Sequence, residues 1–169
     1  MISVQNQNNF NAVFLGQSVL KYEVPLDIYY AINQIYESKY KELRPANKQL
    51  VGKIEKEHSL FHEYNPIHIH QGSLATGLSS VMILNLPESF GVEYSASETP
   101  QNGRLQILGS SSGQFANIDF QPRTKVRDFF IFPYDVRHCV YPFNGPGWRR
   151  TLAANMDVEY DPVTNRGVE

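Results

Sequence analysis

Ile67-His68-Ile69-His70-Gln71-Gly72-Ser73 is the stretch from which the rest of the chain is best read. Its two histidines stand at i and i+2 and alternate with isoleucines, a period of two that belongs to extended backbone. On a strand, His68 and His70 project from one face, and Ile67 and Ile69 are expected to enter an apolar layer behind them. Two imidazoles on one face are half of a metal site, and the other half must come from far along the chain. Beyond this point His138 is the only histidine. A fold that uses the pair must therefore bring remote strands together.

At 169 residues the chain is long enough to bury a core as one domain. Ten prolines and eleven glycines divide it into short segments, which favours strands and turns. A net charge of -2 and a sequence pI near 6.2 leave no basic footprint for nucleic acid. No apolar run approaches a membrane span, and Met1-Ile2-Ser3-Val4-Gln5 lacks the basic and apolar regions of a signal peptide. A single cysteine, Cys139, excludes an internal disulfide and suits a reducing compartment, so a cytoplasmic location is expected.

Residues 1–12, rich in Asn and Gln, read as a loosely ordered leader. Val19–Val24 alternates, with Leu20, Tyr22 and Val24 on one side and Lys21 and Glu23 on a wet face, until Pro25 stops the strand. Residues 26–43 carry Ile28, Ile32, Ile35 and Tyr36 at helical spacing, with Asp27 early and Lys39, Lys41 and Arg44 late to suit the macrodipole. Residues 47–61 suit a second helix or a strand through Val51–Glu55, since Gly52 weakens the helical pattern. From Tyr64 onward short strands and turns dominate. Leu78–Leu86 is an apolar run expected to be buried on both faces. Pro100-Gln101-Asn102-Gly103 is a turn leading into a strand over Arg104–Leu108. Val126–Phe132 and Cys139–Phe143 are further strands, residues 149–160 make a long final one, and Asp161–Glu169 is a surface turn or frayed end. The whole reads as one domain over 1–169, with strand and helical support over 13–62 and a β core over 63–160. Its expected class is mostly β with N-terminal helices (α+β), as a sandwich or barrel.

Around the distal histidine the chain runs Phe132-Pro133-Tyr134-Asp135-Val136-Arg137-His138-Cys139. After a loop through Trp148 it continues Arg149-Arg150-Thr151-Leu152-Ala153-Ala154-Asn155. The His-x-His pair, a distal histidine after a Phe-Pro turn, and an arginine eleven positions later opening a strand resemble the iron(II)/2-oxoglutarate-dependent oxygenases. The chain is most similar to the small prolyl-hydroxylase-like oxygenases of bacteria and tailed phages, over roughly residues 60–160. The resemblance implies a double-stranded β-helix, a jelly-roll or cupin-like barrel. It implies iron(II) held by His68, His70 and His138, and 2-oxoglutarate as a cosubstrate decarboxylated to succinate while a substrate is hydroxylated. Most of that superfamily has a carboxylate where His70 stands. His70 either ligates in its place or lines the site, and Asp135 is an alternative carboxylate.

Strand parity bears on the arginine independently. On the final strand Arg149, Thr151, Ala153 and Asn155 share one face, and Arg150, Leu152, Ala154, Met156 and Val158 the other. One arginine followed by small and polar residues suits a lined cavity. There Arg149 can take the distal carboxylate of 2-oxoglutarate bidentately, with the Thr151 hydroxyl adding a bond and Tyr64 offering another. Arg150 is expected outside the barrel.

Other readings stay open. A cupin-like metalloenzyme with three histidines and no 2-oxoglutarate explains His70 better and Arg149 worse. A non-catalytic β-barrel binding module would leave the histidines merely hydrogen-bonded. His58 and His62, at i and i+4, are read as solvent-facing helix residues rather than a metal pair. Cys139 is expected to be buried and inert, on the face opposite His138. Trp148 either fringes the pocket entrance or packs its loop. The expected partner is a small-molecule or peptide substrate, such as a prolyl residue, chosen by loops Ser95–Gly103 and Gly109–Phe115. No nucleic acid or membrane partner is expected, and a homodimer is the base-rate oligomer.

Overall fold

Between Gly77 and Asp157 the chain repeatedly crosses between two facing sheets, which is how residues distant in sequence meet. The computed structural model describes residues 10–14, 18–42, 65–70, 72–93, 100–109, 119–161 and 166–167. Strands β1 (Phe10–Phe14), β2 (Ser18–Glu23), β7 (Asp128–Pro133), β4 (Gly77–Asn85) and β9 (Arg150–Asp157) form one antiparallel sheet in the order β1-β2-β7-β4-β9. Strands β3 (Asn65–His68), β8 (Arg137–Val140), β5 (Leu105–Leu108) and β6 (Asp119–Phe120) form a second, ordered β3-β8-β5-β6. A helix, α1 (Leu26–Lys39), follows β2, and β10 (Tyr160–Asp161) pairs with β11 (Arg166–Gly167) in a terminal hairpin. Among the described residues these are open sheets with free edges and not a closed barrel.

The core lies between the sheets. Val19, Ile83, Phe130 and Phe132 from the five-stranded sheet meet Leu105, Ile107 and Val140 from the four-stranded one, with Val136 from the turn between β7 and β8. A second cluster sits on the outer side of the larger sheet, where Val24, Met82 and Leu84 pack with Tyr22, Phe129 and the helix residues Tyr29 and Ile32. The molecule is mostly β, layered as helix, sheet and sheet. β4 runs through the middle of both clusters, so its apolar run is buried on two faces as its sequence suggests.

Several expectations shift for physical reasons. The face of β2 expected to be wet is only partly so: Val19, on the side of Lys21, is 0% exposed in the inter-sheet core and Lys21 pairs with the buried Asp128 at 2.9 Å, while Glu23 stays exposed and pairs with Arg127. Its other side lies beneath α1, leaving Leu20 partly exposed at the rim. On α1 the half-buried stripe is Tyr29, Ile32, Asn33 and Tyr36, rotated by about one residue from the expected one. The Tyr29 hydroxyl donates to the Leu84 carbonyl at 3.0 Å, and the Arg150 guanidinium lies 3.9 Å over Tyr36. Ile28 and Ile35 are left exposed. The strand placed over Cys139–Phe143 forms earlier, as β8, and so contains His138 itself. β7 starts at Asp128 because Val126–Arg127 is a turn, with Arg127 at φ 78°. Residues 10–12 leave the expected leader to join β1, and part of the tail forms the β10–β11 hairpin. The candidate second helix over 47–61, Tyr64, His58 and His62 lie outside the described residues, as do 95–99 and 110–115 of the two substrate loops. No helix among the described residues is long and apolar enough to cross a membrane.

Candidate metal centre

β3 and β8 pair antiparallel, and the register sets His68 directly opposite His138. Their rings stand 4.2 Å apart, as expected of a close cross-strand pair. His70 follows just beyond the end of β3. Its backbone N–H donates to the Tyr134 carbonyl at 3.1 Å, and the Tyr134 N–H donates to Gly77 at 3.1 Å, tying His70 to both the β7–β8 turn and the start of β4. The His70 ring lies 4.9 Å from that of His68 and 5.0 Å from that of His138. One ligating nitrogen from each of the three lies within 4.8 Å of the others. The isoleucines between them do not enter the core as expected. Ile67 and Ile69 are 58% and 56% exposed, because β3 is a sheet edge and the histidines take its inner side.

The donor set fits a divalent transition metal. His70 Nε2 and His138 Nε2 are 3.1 Å apart. Two nitrogens each about 2.1 Å from one ion and separated so would subtend about 95°, close to the right angle of adjacent octahedral positions. His138 Nδ1–H donates to the Val136 carbonyl at 3.0 Å, which leaves the lone pair on Nε2, facing the cluster. Burial first, then the neighbouring His68 and His70, push the His138 pKa down to about 4, against the opposing pull of the Val136 hydrogen bond. Burial, followed by His68, also lowers that of His70. Both imidazoles are thus held neutral, the form a metal requires. The group contains no carboxylate. Asp135 is exposed in the turn and stands outside it.

The surroundings hold the ligands in place. Phe132, part of the core, meets the His138 ring edge-to-face at 4.7 Å. The Asn155 amide nitrogen lies 3.2 Å from His70 Nδ1, and its oxygen accepts from the buried Ser79 hydroxyl at 3.0 Å. At the end of β9, Asp157 accepts from the Tyr134 hydroxyl at 3.0 Å and from the Ser73 backbone at 2.9 Å, pinning the segment that follows His70. Burial, reinforced by the bond to Asp157 and its charge, raises the Tyr134 pKa, so the phenol stays a donor. Tyr134 packs so closely that a Cβ on Gly77 would overlap its ring, and one on Gly72 would overlap the Asp157 carboxylate.

Arg149 is buried, at 5% exposure, just before β9. Thr151 lies opposite Ile83, Ala153 opposite Val81 and Asn155 opposite Ser79, so this face of β9 looks inward with the core face of β4. Ala153 and Asn155 are nonetheless exposed, since β9 is an edge strand, and Asn155 reaches His70 from it. Arg149 and Asn155 are six residues apart, about 20 Å of strand. Arg150 faces outward, as its parity implies, and binds Glu37 of α1 at 3.0 Å. Cys139 is buried on the side away from the histidines, its thiol 3.8 Å from Gln106 Oε1 and its pKa raised by burial. Trp148 is 71% exposed, and its carbonyl accepts from Asn85 at 2.6 Å.

The supporting residues Ser79, Tyr134, Asn155 and Asp157 carry no role that the sequence alone assigns. Two signals point toward them: a serine inside an otherwise apolar strand, and the parity that puts Asn155 on the Arg149 face. Compared with protein-family models, with curated proteins and with solved structures, the chain matches none. The three-histidine group therefore stands on its own geometry.

Proposed function

We propose that this chain is a non-haem metalloenzyme whose His68, His70 and His138 hold iron(II), and that it hydroxylates a C–H bond with 2-oxoglutarate as cosubstrate. The observation that carries the reading is the convergence of three imidazoles, from β3, from the segment just after it and from β8, within 4.8 Å. Two facing antiparallel sheets are compatible with the double-stranded β-helix that the motifs imply. Bound iron(II) would supply the oxygen-dependent oxidation of substrate, coupled to decarboxylation of 2-oxoglutarate to succinate. The chain's own part is to present neutral nitrogens, to hold His68 and His138 rigidly across a strand pair, and to offer a face of small and polar side chains on β9. Arg149, buried just before that strand, is the group to receive the distal carboxylate of the diacid, with Thr151 beside it on the inner face. The substrate belongs among small molecules or peptidyl residues.

Anaerobic addition of iron(II) and 2-oxoglutarate tests the reading. A metal-to-ligand absorption band is expected, lost in His68→Ala and His138→Ala, with Arg149→Gln requiring more 2-oxoglutarate to develop it. Succinate should accumulate once oxygen is admitted. No band, or a band that survives His138→Ala, refutes the assignment.

A second reading has specific support. A centre of three histidines without a carboxylate, about 20 Å of strand from Arg149 to Asn155, suits a cupin-like metalloenzyme that does not use 2-oxoglutarate. That enzyme would bind iron(II) equally well and produce no succinate.

A further inference from the structure

The cluster can exist in two hydrogen-bonded forms, and one side chain separates them. His138 has its proton on Nδ1, because its partner there, the Val136 carbonyl, can only accept. Its Nε2 therefore offers a lone pair to His70 Nε2, 3.1 Å away. With the Asn155 amide nitrogen toward His70 Nδ1, that nitrogen accepts and the His70 proton sits on Nε2. His70 then donates to His138, and the pair closes on itself with no lone pair left for a metal. With the Asn155 oxygen turned to the same place, His70 must carry its proton on Nδ1, and both Nε2 lone pairs point into the cluster. The two amide orientations occupy the same space. Ser79 tolerates either, since a hydroxyl donates to the amide oxygen or accepts from the amide nitrogen. Ser79 lies directly across the β4–β9 pair from Asn155 and is 1% exposed, so the amide sits between the Ser79 hydroxyl and the His70 ring.

We propose that Asn155 is a positioning residue that sets the tautomer of His70, opening the three-histidine cluster to a metal when its carbonyl oxygen faces Nδ1 and closing it into a His70–His138 hydrogen bond when its nitrogen does. The inference rests on the metal-centre reading above and deepens it. Zinc(II) is the probe, because it binds imidazole without redox chemistry. Titration of zinc(II) into the full chain is paired with nitrogen-15 imidazole spectra of the metal-free protein, which report which ring nitrogen bears the proton.

Asn155→Ala removes the orienting acceptor and should weaken zinc(II) binding about 10- to 100-fold. Asn155→Asp can only accept. It should fix His70 in the Nδ1–H form without metal and hold zinc(II) at least as tightly as the wild type. A role in stability alone would not reverse between these two substitutions. Should Asn155→Ala fail to fold, Asn155→Leu, with the same branching and number of side-chain heavy atoms, takes its place. Wild-type affinity in the alanine or leucine variant overturns the proposal, as does an unchanged His70 tautomer in Asn155→Asp. His138→Ala separates the two levels: if it binds zinc(II) as the wild type does, the metal centre itself is wrong. If it loses binding while Asn155→Ala keeps it, only the positioning role is wrong.

Discussion

Taking the metal-free protein from pH 7 to pH 4 should cost it about 3 kcal/mol of stability through His138 alone. Burial pushes this imidazole down from 6.5 to about 4, with the nearby His68 and His70 acting in the same direction. Between those two values the unfolded chain binds a proton that the folded chain does not. Stability from the neutral buried ring is therefore fully present above pH 6.5 and is lost as pH falls toward 4. The gap is about 2.5 pH units at about 1.4 kcal/mol each, a little less at pH 4 because the folded ring is half protonated there. Against a total of about 5–15 kcal/mol for a domain, that is a large share. Urea titrations at half-unit pH steps, on wild type and His138→Gln, isolate the effect, since carboxylate protonation is common to both. The wild-type curve should fall about 3 kcal/mol further than the variant's over this window. The lowered His70 pKa leaves a smaller slope of the same sign in the variant. Parallel curves from pH 7 to pH 4 would show that His138 is not a buried neutral ring, and the cluster as described would fail with it.

Other consequences are simpler to read. Gly77→Ala drives a methyl into the Tyr134 ring beside the His70 anchor, so it should cost about 1–3 kcal/mol in a denaturant melt and also weaken zinc(II) binding. Phe130→Ala, fully buried between the sheets, should cost about 3–5 kcal/mol in the same melt. Arg150→Ala loses a partly exposed ion pair to Glu37 and a stack on Tyr36, which predicts a change of about 1 kcal/mol or less and unaltered zinc(II) affinity. Zinc(II) at a hundred times its dissociation constant should raise stability by about 2.7 kcal/mol, and a chelator should reverse the rise in Tm.

Short-range pattern made most of the strands legible. The apolar run over Leu78–Leu86 and the alternation over residues 149–160 match β4 and β9 closely, because both depend on residues adjacent in sequence. Parity on the last strand likewise puts Arg150 on the outer face, where it meets Glu37 of α1, and Asn155 on the inner one. The errors arose where a neighbouring layer decides. Nothing local tells that β2 is sandwiched between the second sheet and α1, so Lys21, expected in water, instead pairs with the buried Asp128 while Glu23 stays exposed. Strand alternation sends Ile67 and Ile69 to the face opposite the histidines, where an apolar layer is expected, yet the histidines take the inner side of this edge strand. The convergence of His68 with His138 was legible only through motif spacing, since the pairing of β3 with β8 spans 70 residues. The Asn155 and Tyr134 supports depend on angles between sheets, which no local pattern encodes.

The absence of a carboxylate from the cluster links its electrostatics to its support. An aspartate at position 70 would place a negative charge beside His138 and raise that ring's pKa, so the two would close as an ion pair that a metal must break. An imidazole there does the reverse: burial and its neighbours lower the pKa of His138, and the two rings meet only through a neutral hydrogen bond. Such a bond is the weaker competitor, but it makes metal readiness depend on a tautomer rather than on a charge. A carboxylate has no tautomer to set. Position 70 therefore needs external orientation, which its place beyond the end of β3 does not supply, and the Tyr134 carbonyl and the Asn155 amide are the groups within reach to provide it. His68 and His138, locked across a strand pair, form the rigid half of the centre, and His70 is the half through which the fold can tune it.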